Sequence, residues 1–266
     1  YNVEAQDLAQ SGWDYTSSSS NITISFWVKS SVSQQFQVNM RLYPASGDQK
    51  EFCFEYTPSA NTWTKVIKTI PGASGNVLRN TNELGMFIQF PQFYGSNYTA
   101  NTRAFDTWET KNNNQNYKDY ATTWYTTNDA TWEITGLQLE VGTQATPFEF
   151  RNFSEELALC QRYYYMHALG NGKSVGTATV YQDNNLFPII QFPVTLRSTP
   201  TLDVSDGSDY FLAYSDGGSD GFSTFSALWN AHSTCAGLNA YSADGVSGRT
   251  AGHSSMIIAN HASARL

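Results

Sequence analysis

Charge is scarce in this 266-residue chain, with Asp, Glu, Lys and Arg together at 14%, against about 25% in a typical globular protein. Coiled coils and long surface helices need many such residues and are excluded. Basic residues are scarcest: 15 Lys and Arg face 23 Asp and Glu, for a net charge of −8. Nucleic acid is gripped by clustered Lys and Arg, and no cluster exists, so nucleic-acid binding is not expected. No run of 18 apolar residues occurs, so no membrane insertion is expected. The three cysteines, Cys53, Cys160 and Cys235, lie far apart without a CxxC. They read as buried free thiols rather than a disulfide framework or zinc site. The four histidines show no HxH or HxxxH spacing, and nucleophile-elbow, phosphate-loop and dinucleotide-binding motifs are absent.

Aromatic residues, by contrast, reach 15%, with 16 Tyr, 16 Phe and 7 Trp. Together with Gly-punctuated polar stretches, they point to a β protein with a neutral-polar surface. Apolar and polar residues alternate with period 2 over 22–28 and 36–42, as in half-buried strands. Residues 52–56, 63–70, 84–90 and 132–141 extend the series, with a bulge or close contact expected at Gly136. Many short strands at this spacing predict a sandwich or jelly roll. Trp27, Trp63 and Trp132 fall inside these patterns and read as core.

A helix is predicted from Asn152-Phe153-Ser154, capped by Ser154 with Glu155 and Glu156 in its first turn. It is expected to fray into a strand through Tyr163-Tyr164-Tyr165, a run that reads as a domain or subunit junction. A second strand series covers 175–181 and 186–192, joined by a hairpin turn at Asp183-Asn184-Asn185, then 222–230 and 255–260. The reading is all-β: a jelly-roll β-sandwich over 1–151, a linking helix within 152–170 and a smaller C-terminal β-sandwich over 171–266.

Three segments resemble a signature of tailed-phage virion proteins, usually tail fibre or structural proteins. They are Ile134-Thr135-Gly136-Leu137-Gln138-Leu139-Glu140-Val141-Gly142, then Ala145-Thr146-Pro147-Phe148-Glu149, then 156–164 (ELALCQRYY). Val3 to Leu8, Thr23 to Ser30, Thr62 to Lys65 and Phe192 to Thr201 are similar to further parts of the same family. The chain departs from it in having Ala5 where Gly is frequent, and in ending Ala264-Arg265-Leu266 rather than in an acidic Ala-Glu-Leu. The resemblance implies a jelly roll similar to carbohydrate-binding modules, followed by a small β domain. It also implies a virion location and assembly with copies of itself, a trimer being favoured. Other virion proteins would be joined through a part preceding Tyr1.

One connection, Tyr94 to Tyr120, is too long for a simple turn and holds Trp108 and an Asn-rich run. Rigid aromatic faces with adaptable amides suit sugar recognition. Tyr94, Tyr98, Trp108, Asn113, Tyr117 and Tyr120 are therefore the candidate glycan contacts. Alanine at Trp108 or Tyr117 is expected to weaken binding while leaving folding intact. The competing reading is that these rings anchor the loop or pack on a neighbouring subunit. Asp203, Asp206 and Asp209, with Asp216 and Asp220, crowd a Gly-rich stretch that reads as turns, or as a calcium loop. Beyond that possible calcium no cofactor is expected.

Paired carboxylates for glycan hydrolysis could be sought at Asp106 with Glu109 or Glu149 with Glu155. Neither pair sits in a context that would split their pKa values. The functional expectation is a non-enzymatic tail fibre or receptor-binding appendage for host surface glycans. A capsid decoration protein or head fibre is the alternative, and a glycan depolymerase the third reading.

Overall fold

The computed structural model describes residues 1–75, 77–215 and 217–266. The chain forms two compact units, Tyr1–Phe150 and Arg151–Leu266. The first contains β1 (Asn2–Glu4), α1 (Ala5–Gln10), β2 (Asn21–Ser30), β3 (Phe36–Leu42), β4 (Lys50–Tyr56), β5 (Thr64–Pro71), β6 (Leu84–Gln89), β7 (Trp108–Thr110), α2 (Thr123–Thr126) and β8 (Trp132–Val141). It is an antiparallel β-sandwich of two sheets, ordered β1-β6-β3-β4-β7 and β5-β2-β8.

Alternation along the strands builds the core. Ile22, Ile24, Phe26 and Val28 of β2 are buried with Phe36, Val38, Met40 and Leu42 of β3 and Phe52 and Phe54 of β4. Phe26 meets Tyr56 and Phe90 edge-on, at 5.4 and 5.2 Å between ring centroids. Each such pair contributes about 0.5–1.5 kcal/mol beyond the area it buries. At Gly136 the β2–β8 register slips between Ser25 and Trp27. Gly136 takes φ +60°, and an added Cβ would stand 3.4 Å from the Trp27 ring. A side chain there would meet both backbone strain and the indole.

Two of the tryptophans read as core face outward. Trp27 on β2 and Trp63 just before β5 are each 41% exposed. Alternation fixed their phase only relative to neighbours, and β2 buries its Ile and Phe phase instead. Lys29 lies over the Trp63 ring at 5.2 Å. Trp132 does pack against the core, and its indole N–H donates to the Tyr56 hydroxyl at 3.1 Å.

The second unit contains α3 (Phe153–Gln161), β9 (Lys173–Gln182), β10 (Asn185–Gln191), β11 (Phe211–Ser215), β12 (Gly218–Phe222), β13 (Ala227–Trp229), β14 (Cys235–Asn239), a 3₁₀ turn at Ser242–Asp244 and β15 (Ser254–Ala259). All strands are antiparallel in one sheet, ordered β12-β11-β15-β9-β10-β14-β13. Its inner face closes over a core holding Val180, Leu186, Phe211, Phe222, Phe225, Leu238 and Ile257. The helix belongs to this unit. Its cap is Asn152, whose Oδ1 accepts from the Glu155 N–H at 2.9 Å, rather than Ser154. Tyr163 to Tyr165 lie outside any strand, contrary to the predicted fraying.

Candidate functional site

The outer face of the five-stranded sheet is polar by sequence and buried in fact. Opposite the core phase of β3 and β4 stand Gln37, Asn39 and Arg41, and Glu51 and Cys53. Alternation would leave these in water, yet Gln37, Asn39, Glu51 and Cys53 are fully buried. The segment 91–122 lies over them, and its backbone bonds to the Gln37 and Asn39 side chains and to the Cys53 carbonyl. Gln37 Nε2 donates to the Lys118 carbonyl at 2.9 Å, and the Lys118 N–H returns a bond to Gln37 Oε1 at 3.1 Å. Asn39 Nδ2 donates to the Asn116 carbonyl at 3.1 Å, and the Asp106 N–H to the Cys53 carbonyl at 2.8 Å.

A buried ionic network pins the same segment. Glu51 accepts from Arg41 at 2.6 Å and faces Arg103 at 3.5 Å. Arg103 also donates to the Glu51 carbonyl at 3.2 Å and pairs with Glu109 at 3.1 Å. Arg103 carries a full charge from the loop into this buried layer. It was not singled out in the sequence because nothing marks a loop arginine as buried.

On this layer the aromatic side chains form a ladder. Tyr98 meets Tyr94 at 5.9 Å, and Tyr94 stacks on Tyr117 at 4.5 Å. Tyr117 meets Tyr120 at 6.0 Å, and Tyr120 meets Phe93 at 6.0 Å. Phe93 stacks on Tyr125 at 4.3 Å. Gln89 of β6 ties the centre, donating to the Tyr94 hydroxyl at 3.0 Å and accepting from the Tyr117 hydroxyl. The two ends, Tyr98 and Tyr125, are 51% and 63% exposed.

Of the six predicted glycan contacts, four join this ladder: Tyr94, Tyr98, Tyr117 and Tyr120. Tyr117 is only 1% exposed and cannot meet an external ligand. Burial pushes its hydroxyl, and that of Tyr120, well above the usual phenol range. Trp108 is not part of the ladder. It begins the edge strand β7, packs on Phe52 at 5.4 Å and donates its indole N–H to the Pro71 carbonyl at 2.7 Å. The expectation that Trp108 or Tyr117 could be removed with folding intact is therefore corrected: both are anchors. Asn113 is exposed in the turn after β7 and bonds to Lys111. Among the described residues no hydrogen bond joins it to the ladder. Phe93 and Tyr125, outside the predicted set, belong to the surface instead.

The predicted aspartates do not converge. Asp203 pairs with Arg265 at 2.7 Å. Asp209 sits at φ +55° and its carbonyl accepts from Asn260 at 2.9 Å. Asp206 is exposed, Asp220 accepts from Ser247 Oγ at 2.6 Å, and Asp216 lies outside the described residues. Among the described residues no three His, Cys, Asp or Glu side chains stand close enough to share a metal ion. Asp203 thus serves an ion pair and Asp220 a hydrogen bond, and the described aspartates do not gather into one cation-binding loop. Of the carboxylates considered for hydrolysis, one pair is occupied: Asp106 pairs with Lys68 at 2.5 Å and Glu109 with Arg103. Tyr163, Tyr164 and Tyr165 line a cleft of about 410 Å³ in the second unit with Arg162, Arg197 and Leu196. His167 is held there through Val175 O at 2.6 Å and the Tyr165 hydroxyl at 3.2 Å.

Cys53 behaves as the free buried thiol expected, while Cys160 is exposed and Cys235 partly so. Burial pushes the Cys53 thiol up to about 12 from 9.0. The neutral thiol is the form the fold favours. Its contribution to stability is therefore complete below pH 9.0 and is lost as the pH climbs toward about 12. Iodoacetamide is expected to alkylate Cys160 and spare Cys53 in the native chain at about pH 8, since only thiolate reacts. Mass spectrometry checks this, and an adduct on native Cys53 would contradict the packing described.

Comparison of the chain with models of known protein families, with curated proteins and with solved structures finds no match.

Proposed function

We propose that this chain is a non-enzymatic virion protein, a tail fibre or related receptor-binding appendage, whose first unit recognises host surface glycans along the outer edge of the tyrosine ladder. The observation that carries this reading is the ladder itself: six rings in a continuous series of contacts, two of them stacked, over a hydrogen-bonded sheet face, ending in exposed Tyr98 and Tyr125. Ring faces held before binding lose little entropy when a sugar's apolar face settles on them. Exposed Ser96, Asn97 and Gln115 of the same segment supply a hydroxyl and two amides for sugar hydroxyls. The virion assignment rests on the motif residues at 134–149 and 156–164, and the low charge of the chain is compatible with it.

The test is binding of the full chain to host cells and to an array of bacterial surface glycans. Wild type is expected to bind and to block infection. Tyr98→Ala and Tyr125→Ala are each expected to weaken binding about tenfold or more, equivalent to roughly 1.4 kcal/mol. Absence of binding to both cells and array would refute the reading. Immunogold labelling on capsids alone would favour a decoration protein.

A further inference from the structure

The second unit leaves one face of its sheet uncovered. Met256 pairs with Tyr214 on one side and with Thr177 on the other. Ile189 pairs with Gly237, which in turn pairs with Trp229. Ile189 lies one step past the Pro188–Ala178 pair, beside Thr177. One outward row thus runs straight across six strands, from β11 through β15, β9, β10 and β14 to β13. At about 4.8 Å per strand it spans roughly 24 Å. Beside it, Phe187 meets Tyr181 at 5.8 Å, Trp229 at 5.0 Å and Tyr241 at 6.4 Å. Gly237 is what lets the indole lie close: an added Cβ would meet the Trp229 carbonyl at 3.2 Å and its ring at 3.5 Å.

Ile189 is 70% exposed, Tyr181 68%, Trp229 53% and Met256 49%, with Tyr241 and Tyr214 partly exposed. These six side chains present on the order of 600 Å² of mostly apolar surface. That matches or exceeds the largest patch on a typical monomer, about 300–600 Å², and approaches the roughly 800 Å² per partner of a stable interface. The face is also neutral. The outward positions of β10, β11, β13, β14 and β15, and of β9 from Thr177 onward, carry no charged side chain. Copies of a chain with net charge −8 repel one another through most of their surface. A wide apolar face without charge is where two copies can approach without burying unpaired charge.

We infer that the outer face of this sheet is the surface through which copies of the chain associate, with Ile189, Met256 and Trp229 at its centre. The inference goes beyond the glycan reading and does not depend on it, because the tyrosine ladder lies on the other unit.

The experiment is light scattering and sedimentation of the full chain at about 10–100 μM. Wild type is expected at a multiple of 29.6 kDa. Ile189→Lys, and independently the milder Met256→Gln, are expected to shift it toward a single chain, with unchanged circular dichroism and a melting temperature that no longer depends on concentration. Tyr98→Ala is expected to keep the wild-type mass, which separates this test from that of glycan binding. A monomeric wild type over that range, or folded variants that keep the wild-type mass, would overturn the inference. So would a monomeric wild type whose tryptophan fluorescence responds to neutral oligosaccharides while that of Trp229→Phe does not, which would reassign the face to sugar.

Discussion

Glu51→Ala is expected to lower the stability of the first unit by about 3–5 kcal/mol, the range for removing one partner of a buried ionic network. The carboxylate is wholly inaccessible and stands between two guanidiniums, Arg41 at 2.6 Å and Arg103 at 3.5 Å. Without it, two cations face each other, and Arg103 keeps only Glu109 and a backbone carbonyl. In a domain of this size each kcal/mol moves the melting temperature by about 2–4 °C, so a fall on the order of 10 °C is expected. The same change should free the covering segment, seen as faster hydrogen exchange at the amides of Asp106 and Lys118, which bond to the sheet. Joint replacement of Arg41, Glu51 and Arg103 by Met, Leu and Met is expected to cost less than Glu51→Ala alone, because no fully buried charge is left unpaired and Glu109, which loses Arg103, is partly exposed to water. A melting temperature within about 2 °C of wild type for Glu51→Ala would show that the network does not hold the segment down.

Tyr117 and Tyr98 are expected to separate folding from binding, although both belong to one ladder. Tyr117→Ala removes a fully buried ring stacked on Tyr94 at 4.5 Å. It opens a cavity between the sheet and the segment and should cost about 3–5 kcal/mol. Tyr117→Phe keeps the ring and removes only the bond to Gln89, with an expected cost of about 1 kcal/mol. Tyr98→Ala touches an exposed ring at the end of the ladder and should stay within about 0.5 kcal/mol of wild type. On the proposed function, however, Tyr98→Ala loses binding. Urea unfolding with cell binding on the same three variants checks the pattern. Equal stability of Tyr98→Ala and Tyr117→Ala would mean that the ladder is not packed as described.

Much of the secondary structure is legible in the residues. Alternation locates β2, β3, β4 and β8 closely, and Asp183-Asn184 marks the β9–β10 hairpin, with Asn184 at φ +59°. What is missed is short or polar. The three-residue β1 and β7 owe their form to neighbours already in place. The β11–β12 hairpin lies within an Asp-, Gly- and Ser-rich stretch that reads as loop, and β14 carries too little alternation to announce itself. The distinctive loop is recognisable from its Tyr and Asn content. Its division into buried Tyr117 and exposed Tyr98 is not, because both are tyrosines in equally polar surroundings.

The amino-acid sequence by itself determines the β class, the position of most strands and two alternating faces for each. It also determines how little charge the surface can carry. Tertiary structure alone decides what covers each face. On β3 and β4 the polar phase is buried, since a long segment brings backbone groups that pair with Gln37 and Asn39 and the Arg103 guanidinium that meets Glu51. On β10, β13 and β15 the apolar residues Ile189, Trp229 and Met256 stay exposed, since no described segment of the second unit folds over them. Period-2 patterning separates two faces of a strand but carries no information about the element that comes to lie on either, which is set by contacts distant in sequence.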